Sequence, residues 1–347
     1  MLSMIIKRGG IEVQSATNLS IDDNRIYNNS ESNIVISGIN GFGPFVLDGV
    51  TVTSNIIGNL PNESPALNNE VGITVKGNPL NVTIGGDSGE GNIVRASQGA
   101  GIMVMSVGIE AFSATLATEK VSLLGNSIYE SDYSSTFTNG GLGIDLLTGV
   151  DTDVSPDGQP NTYTGVGTNA NDASDADGGP NRNMNFPVLQ SLTQNGSQAT
   201  IELDLDVTDS PTDQYRVEFF ANNIIDSSGY GEGQTYLGSV ILPSGDGQQA
   251  NFTLPGSTDL TGKSISATTT AIDGTTDSGF AATSEFSAGI TPVVVSVDSP
   301  DNNGGSSDNG SSGSLAGTGQ NTLLAVAIAS LLVLSAGLIL SRLPRRS

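Results

Sequence analysis

Two acidic stretches carry the residue types best suited to binding a metal ion. In each stretch, aspartates stand at alternate or near-alternate positions ahead of a glycine. Ca²⁺ takes about six to eight oxygen ligands from the carboxylates and carbonyls of such loops. Neither stretch has the glutamate that completes an EF-hand loop, so a solvated acidic connector is the competing interpretation. The candidate calcium ligands are Asp151, Asp153, Asp157, Asp172, Asp175 and Asp177.

The composition excludes several other kinds of chemistry. The chain has no His and no Cys, which removes Ser-His-Asp and Cys-His catalysis and the usual zinc and iron sites. Acidic residues number 36 against 12 basic ones, for a formal charge of −24. A nucleic-acid partner is therefore not expected, because almost no basic surface is available to neutralise phosphates. Such an acidic surface can hold divalent cations or keep a displayed protein soluble.

The C-terminal segment has the parts of a membrane attachment signal. Residues 297–314 are rich in Ser, Gly and Asn and are predicted to form a flexible stalk. Residues 315–319 follow, and an uncharged apolar run then extends from Leu323 to Leu340. As a helix this run would be about 27 Å long, enough to span a bilayer core. Three arginines close the chain and are predicted to stay on the cytoplasmic side.

This layout resembles the LPXTG-type sorting signal of sortase-anchored bacterial wall proteins. Ala316 replaces the usual proline, as in the variant preferred by class E sortases. The resemblance implies that a class E-like sortase attacks the Thr318 carbonyl and transfers the acyl group to an amine of the peptidoglycan precursor. An ordinary single-pass anchor is the alternative, since the apolar run and the arginines support it by themselves. The sortase recognition residues are Leu315, Ala316, Gly317, Thr318 and Gly319.

The first half of the chain repeats one pattern with a period near 34 residues. Each repeat has two aliphatic residues alternating with a small polar one, then an asparagine and another aliphatic. This period predicts a parallel β-helix over residues 1–148, with coils stacked about 4.8 Å apart and aliphatic ladders inside. The recurring asparagines are expected to stack and hydrogen-bond along the axis. Unrelated antiparallel hairpins are the alternative. The asparagines are Asn24, Asn55, Asn92 and Asn126.

Three short phrases in these repeats resemble those of bacterial surface proteins with pectate-lyase-like β-helix repeats. They are Gly72-Ile-Thr-Val75, Asn81-Val-Thr-Ile84-Gly85-Gly86 and Gly91-Asn92-Ile93-Val94. The resemblance covers roughly residues 10–148. It implies a right-handed parallel β-helix.

The sequence of the second half of the chain predicts a β domain of a different kind. Residues 149–186 form an acidic, Gly-rich connector, and residues 187–296 then alternate between apolar and polar positions. Strands at this spacing predict an immunoglobulin-like β-sandwich. The segment from Tyr215 to Asn222 also resembles the sandwich module that follows such β-helices in bacterial surface proteins. The predicted strands are Val188–Leu192, Ala199–Val207, Tyr215–Ala221, Thr235–Leu242, Ala250–Leu254, Ser264–Ile272 and Thr283–Ile290.

Together these features predict a structural or adhesive protein anchored at the bacterial cell surface, with its bulk outside the cell. Extracellular glycans or proteins are the expected partners. The alternative is a surface polysaccharide lyase or glycoside hydrolase of the β-helix type, which would work with carboxylates or a basic residue. Residues 1–10 contain no apolar stretch long enough for a secretion signal, so the natural protein is expected to extend further toward the N-terminus.

Overall fold

The computed structural model is an all-β protein. It describes residues 10–295 except 30, 41–42, 45, 60–61, 63, 65–69, 88, 110–113, 132–140, 152–166, 209 and 225–227. These described residues belong to one compact unit. The described part of the chain includes a short 3-10 helix, Pro180–Asn183, and contains no helix long and apolar enough to cross a membrane. The predicted span 323–340 lies outside the described residues.

The N-terminal half forms three parallel sheets, and the chain passes through them in turn, coil after coil. Sheet 1 contains β1 Ile11–Val13, β4 Ile34–Ser37, β9 Ile73–Lys76, β12 Ile102–Ile109 and β16 Ile144–Asp151, with β13 Ala114–Leu116 antiparallel to β12. Sheet 2 contains β2 Ala16–Asp22, β7 Leu47–Thr53, β10 Leu80–Gly85 and β14 Val121–Leu124. Sheet 3 contains β3 Arg25–Ile26, β8 Ile56–Ile57, β11 Ile93–Arg95 and β15 Ser127–Tyr129. A hairpin, β5 Ile39–Asn40 and β6 Gly43–Pro44, projects from one coil. The arrangement is β-helix-like, as the repeat predicted.

In-register aliphatic ladders hold this stack of coils together. Equivalent residues of neighbouring coils pair directly, and alternate positions along each strand point to the same face of the sheet. The inward positions therefore line up into one hydrophobic core. The ladders are Ile11–Ile34–Ile73–Ile102–Ile144, Leu19–Val50–Val82–Val121, Ile21–Val52–Ile84–Leu123 and Ile26–Ile57–Val94–Ile128.

The recurring asparagines form the hydrogen-bonded ladder that the sequence predicted. The Asn92 side-chain carbonyl accepts from the backbone and side-chain amides of Asn55, both at 3.0 Å. The Asn92 side-chain amide donates to Asn126 Oδ1 at 2.9 Å and to the Val52 carbonyl at 2.7 Å. Asn24 bonds to Asn55 in the same way. Asn55 and Asn92 thus each join three successive coils.

Two largely antiparallel sheets form the C-terminal half and share a second hydrophobic core. Sheet 4 contains, in order across the sheet, β21 Gly245–Thr253, β18 Gln198–Leu205, β17 Val188–Asn195 and β24 Val293–Val295. In this sheet β24 runs parallel to β17, and the other pairs are antiparallel. Sheet 5 contains, in order, β20 Thr235–Leu242, β19 Tyr215–Asn222, β22 Ser264–Ile272 and β23 Phe280–Thr283, and all its pairs are antiparallel.

Most predicted strands of this half coincide with observed ones, and the last does not. The predicted strand Thr283–Ile290 is wrong, because the observed strand ends at Thr283. The following residues instead bond to the stack of coils and to β22, where the Glu285 carboxyl receives the Leu146 amide and the Ser287 amide donates to the Ala267 carbonyl. Strand β24 was not predicted.

The central strand β19 of sheet 5 is covered on both faces, which joins the two halves. Every residue of β19 is buried. Val217 and Phe219 point into the core between sheets 4 and 5, whereas Phe220 belongs to the core of the coils. Sheet 5 therefore closes the C-terminal end of the stack.

Candidate functional site

The structure describes only part of the residues that the sequence analysis singled out. The sortase recognition residues 315–319 lie outside the described residues, as do Asp153 and Asp157. Asp151 is the last residue of β16. The sorting-signal prediction therefore stays a prediction.

The second acidic stretch does bring its three aspartates together. Ligand atoms of Asp172, Asp175 and Asp177 all lie within 4.8 Å of one another. The Asp172 carboxylate accepts the Ala176 amide at 3.1 and 3.2 Å, and Asp175 Oδ1 accepts the Asn185 amide at 2.8 Å. Carboxylate oxygens on a tight loop suit Ca²⁺, but hydrogen bonds from the loop already use several of them. The calcium prediction stays a prediction.

A groove of about 600 Å³ lies on the outer face of sheet 2. Three successive coils form its floor, and its end wall combines the loop after β10, the end of β14 and the segment between β22 and β23. The groove is therefore built from both halves of the molecule. The floor residues include Ser20, Thr51, Thr53, Asn81 and Thr83, and the end-wall residues include Asp87, Glu90, Leu124, Asp277 and Phe280.

The floor presents rows of hydroxyl groups that run along the axis of the stack. Ser20 pairs in register with Thr51, and Thr51 with Thr83. Their side chains point outward because the residues between them point into the core. Neighbouring hydroxyls of a row are therefore about 4.8 Å apart, the spacing between strands.

The floor groups can both donate to a ligand and accept from it. The Thr53 hydroxyl donates to Asp22 Oδ1 at 2.8 Å, and the Asn81 side-chain amide donates to Asp48 Oδ1 at 2.8 Å. Thr83 Oγ1 accepts the Ser122 hydroxyl at 3.0 Å, so the Thr83 hydroxyl can still donate its own hydrogen.

The end wall of the groove combines an aromatic ring with carboxylates. Phe280 and Leu124 supply its apolar surface, and Asp87, Glu90 and Asp277 supply its charge. Gly85 permits the close approach of the chain here. Its φ is +86°, and a Cβ would lie 1.9 Å from the Leu124 carbonyl oxygen.

A buried arginine beneath this wall ties it to sheet 5. Arg216 is 8% exposed, pairs with Asp87, and bonds to Glu218 Oε1 at 2.8 Å. Its guanidinium also lies 5.5 Å from the centre of the Phe280 ring. Burial raises the pKa of Glu218 above its usual range, and the Arg216 charge opposes that shift. Arg216 therefore positions both Asp87 and Phe280.

A second cluster of ionisable groups lies where β16 meets the segment after β23. Asp145 and Glu285 are each 2% exposed. The Glu285 carboxyl accepts the Leu146 amide and both amides of Asn169, each at 2.9 Å. Burial raises the pKa of Asp145 to about 7, and burial together with the Asp145 charge raises the pKa of Glu285 well above its usual range.

Comparisons with known proteins identify no family for this chain. No protein-family model matches the chain, and no curated protein is significantly similar to it.

Sequence reasoning missed the groove, although part of its signal was present. The outward positions Ser20, Thr51 and Thr83 alternate with the core aliphatics that the repeat revealed. The end wall had no such signal, because Phe280 and Asp277 are distant in the chain from the floor.

Proposed function

We propose that this protein is a non-catalytic, cell-surface binding protein whose groove holds an extended glycan chain. The observation that carries the proposal is the row of outward hydroxyls repeated from coil to coil beside an aromatic ring. We further propose that the stack is a right-handed parallel β-helix and that sheets 4 and 5 form an immunoglobulin-like sandwich.

The chemistry of the groove supports a polyhydroxyl ligand. Few but well-placed polar groups with an apolar platform are typical of ligand sites. Adjacent coils repeat at a distance comparable to one sugar ring of an extended chain, so successive rings can meet equivalent hydroxyls. Phe280 offers an apolar surface at the end of that row.

Binding of neutral oligosaccharides to the purified full-length chain tests this proposal. The variant Thr51→Val with Thr83→Val removes two floor hydroxyls while it keeps their β-branched shape. Each hydrogen bond contributes about 1 kcal/mol, so affinity should fall by about tenfold or more. The control is Thr200→Val with Thr253→Val on sheet 4, which should leave affinity unchanged.

Two outcomes would contradict the proposal. If no oligosaccharide binds, the groove is not a glycan site. If bound chains are cleaved, and substitution of groove carboxylates stops the cleavage, the lyase or hydrolase alternative replaces it.

Attachment to the cell surface is a separate part of the proposal, supported by the sequence of the C-terminal segment. Mass spectrometry of wall digests should find a peptide that ends at Thr318 and is linked to a peptidoglycan amine. Thr318→Ala should abolish that product. An intact C-terminus in the membrane fraction would instead support an ordinary membrane anchor.

A further inference from the structure

We propose that the groove selects glycan chains by charge, favouring amine-bearing chains and rejecting uronate chains. This inference rests on the proposed function and names the ligand class for the same site. The observation that carries it is the single sign of the charges at the end wall and beside the floor of the groove.

The charges around the groove have one sign. Its lining among the described residues includes Asp87, Glu90 and Asp277 and no lysine or arginine. The Glu90 carboxylate lies against Gly86, where a Cβ would come within 2.4 Å of Glu90 Oε2. Glu90 and Asp87 thus line the same part of the groove.

The nearest buried cation does not reverse this charge. Arg216 is engaged by Asp87 and by the buried Glu218, and it also contacts the Tyr236 hydroxyl at 3.1 Å. Two carboxylates thus face one guanidinium. Glu90 and Asp277 add further negative charge at the wall, and the whole chain has a net charge of −24.

The floor adds two carboxylates of the same sign. Thr53 and Asn81 donate to Asp22 and Asp48, which places both carboxylates beside the floor. The floor hydroxyls can donate or accept, so they bind sugar hydroxyls without discriminating by charge. The carboxylates attract an ammonium group and repel a uronate.

The test compares three oligosaccharides of equal length with the full-length chain. They are oligomers of N-acetylglucosamine, glucosamine and galacturonate, which are neutral, cationic and anionic. Calorimetry should give the lowest dissociation constant for the cationic chain and a value at least about tenfold higher for the anionic one. Because exposed charges are screened, the difference should shrink between about 0.1 M and about 1 M salt.

Two charge variants test whether the difference in affinity between cationic and anionic chains arises at the end wall. Glu90→Gln with Asp277→Asn removes wall charge without touching the Arg216 network, and it should reduce the difference between cationic and anionic chains several-fold. The control Glu202→Gln with Asp246→Asn changes the net charge equally on sheet 4 and should leave the difference intact.

The outcomes separate this inference from the proposed function. Equal or tighter binding of the uronate chain overturns charge selection and leaves glycan binding in place. An unchanged difference in the wall variant also overturns it. Absence of binding by all three chains overturns the proposed function, and this inference with it.

Discussion

At the scale of single residues, the corner asparagines do more than the aliphatic ladders to define the register of the coils. Asn92 is fully buried, and each half of its side-chain amide has two partners on neighbouring coils. A shift of one residue would leave these buried polar groups without partners, which costs more free energy than the bonds contribute. The ladder therefore penalises every alternative register.

Replacing Asn92 by alanine should strongly destabilise the protein. It removes the acceptor of the buried Asn55 backbone amide and the side-chain donor to the Val52 carbonyl, and the Asn55 side-chain amide loses one of its bonds. The free energy of unfolding should therefore fall by about 3 kcal/mol. Asn24→Ala, at the exposed end of the ladder, should cost about 1 kcal/mol or less. Denaturant unfolding measures both. Equal losses for the two variants would contradict the role assigned to the ladder.

At the scale of elements, side chains of the C-terminal half replace the strand that the last coil lacks. An open sheet edge exposes unpaired backbone groups. Here Asn181 receives the Val121 amide at 2.9 Å and donates to the Val121 carbonyl at 2.8 Å. The Leu123 amide donates to Thr283 and the Gly125 amide to Glu218, both at 2.9 Å. The terminal edge of sheet 2 is thereby closed.

The same joint should make stability depend on pH, through Asp145 and Glu285. Both pKa values lie above their usual range in the folded protein, so the folded state binds more protons than the unfolded state between about pH 4 and pH 7. The free energy of unfolding should therefore fall as pH rises through that window. The groups that donate hydrogen bonds to Glu285 from Leu146 and Asn169 are amides, which do not titrate in this window.

Asp145→Asn tests this directly. It removes one titrating group and the charge that acts on Glu285, so the pH dependence of unfolding should flatten. Asp246→Asn, exposed on sheet 4, should leave it unchanged. The Asp273 carboxyl does not interfere, because hydrogen bonds from Thr275 and the Lys120 charge lower its pKa to about 2, below the window. Stability that rises between pH 4 and pH 7 would contradict the prediction.

At the scale of the whole molecule, the coils and the two antiparallel sheets should unfold together. Phe220 belongs to the core of the coils and lies 5.3 Å from Phe286 and 5.6 Å from Tyr236, measured between ring centres. The unsubstituted protein should therefore unfold in a single calorimetric transition. Phe220→Ala should lower the free energy of unfolding by about 3–5 kcal/mol and separate that transition into two. Phe252→Ala lies in the other core and should lower stability with one transition retained. Two transitions in the unsubstituted protein would contradict this coupling.

The sequence by itself determined the features that repeat or alternate along the chain. The period and alternation fixed the inward ladders, the asparagine corners and most strands of sheets 4 and 5, because these depend on side-chain direction within one strand. The composition excluded histidine and cysteine chemistry. The predicted strand Thr283–Ile290 failed because regular pairing ends at Thr283, where Glu285 bonds to the coils, and only single bonds to β22 continue as far as Ile290.

Only the tertiary structure decided which residues from distant segments of the chain come into contact. The end wall of the groove, the pairing of Arg216 with Asp87 and the burial of Asp145 beside Glu285 join residues far apart in the chain. No local pattern marks such residues, because a charged side chain that will be buried looks in sequence like one that stays solvated. Their burial and charge state depend on which surfaces the packed sheets bring together.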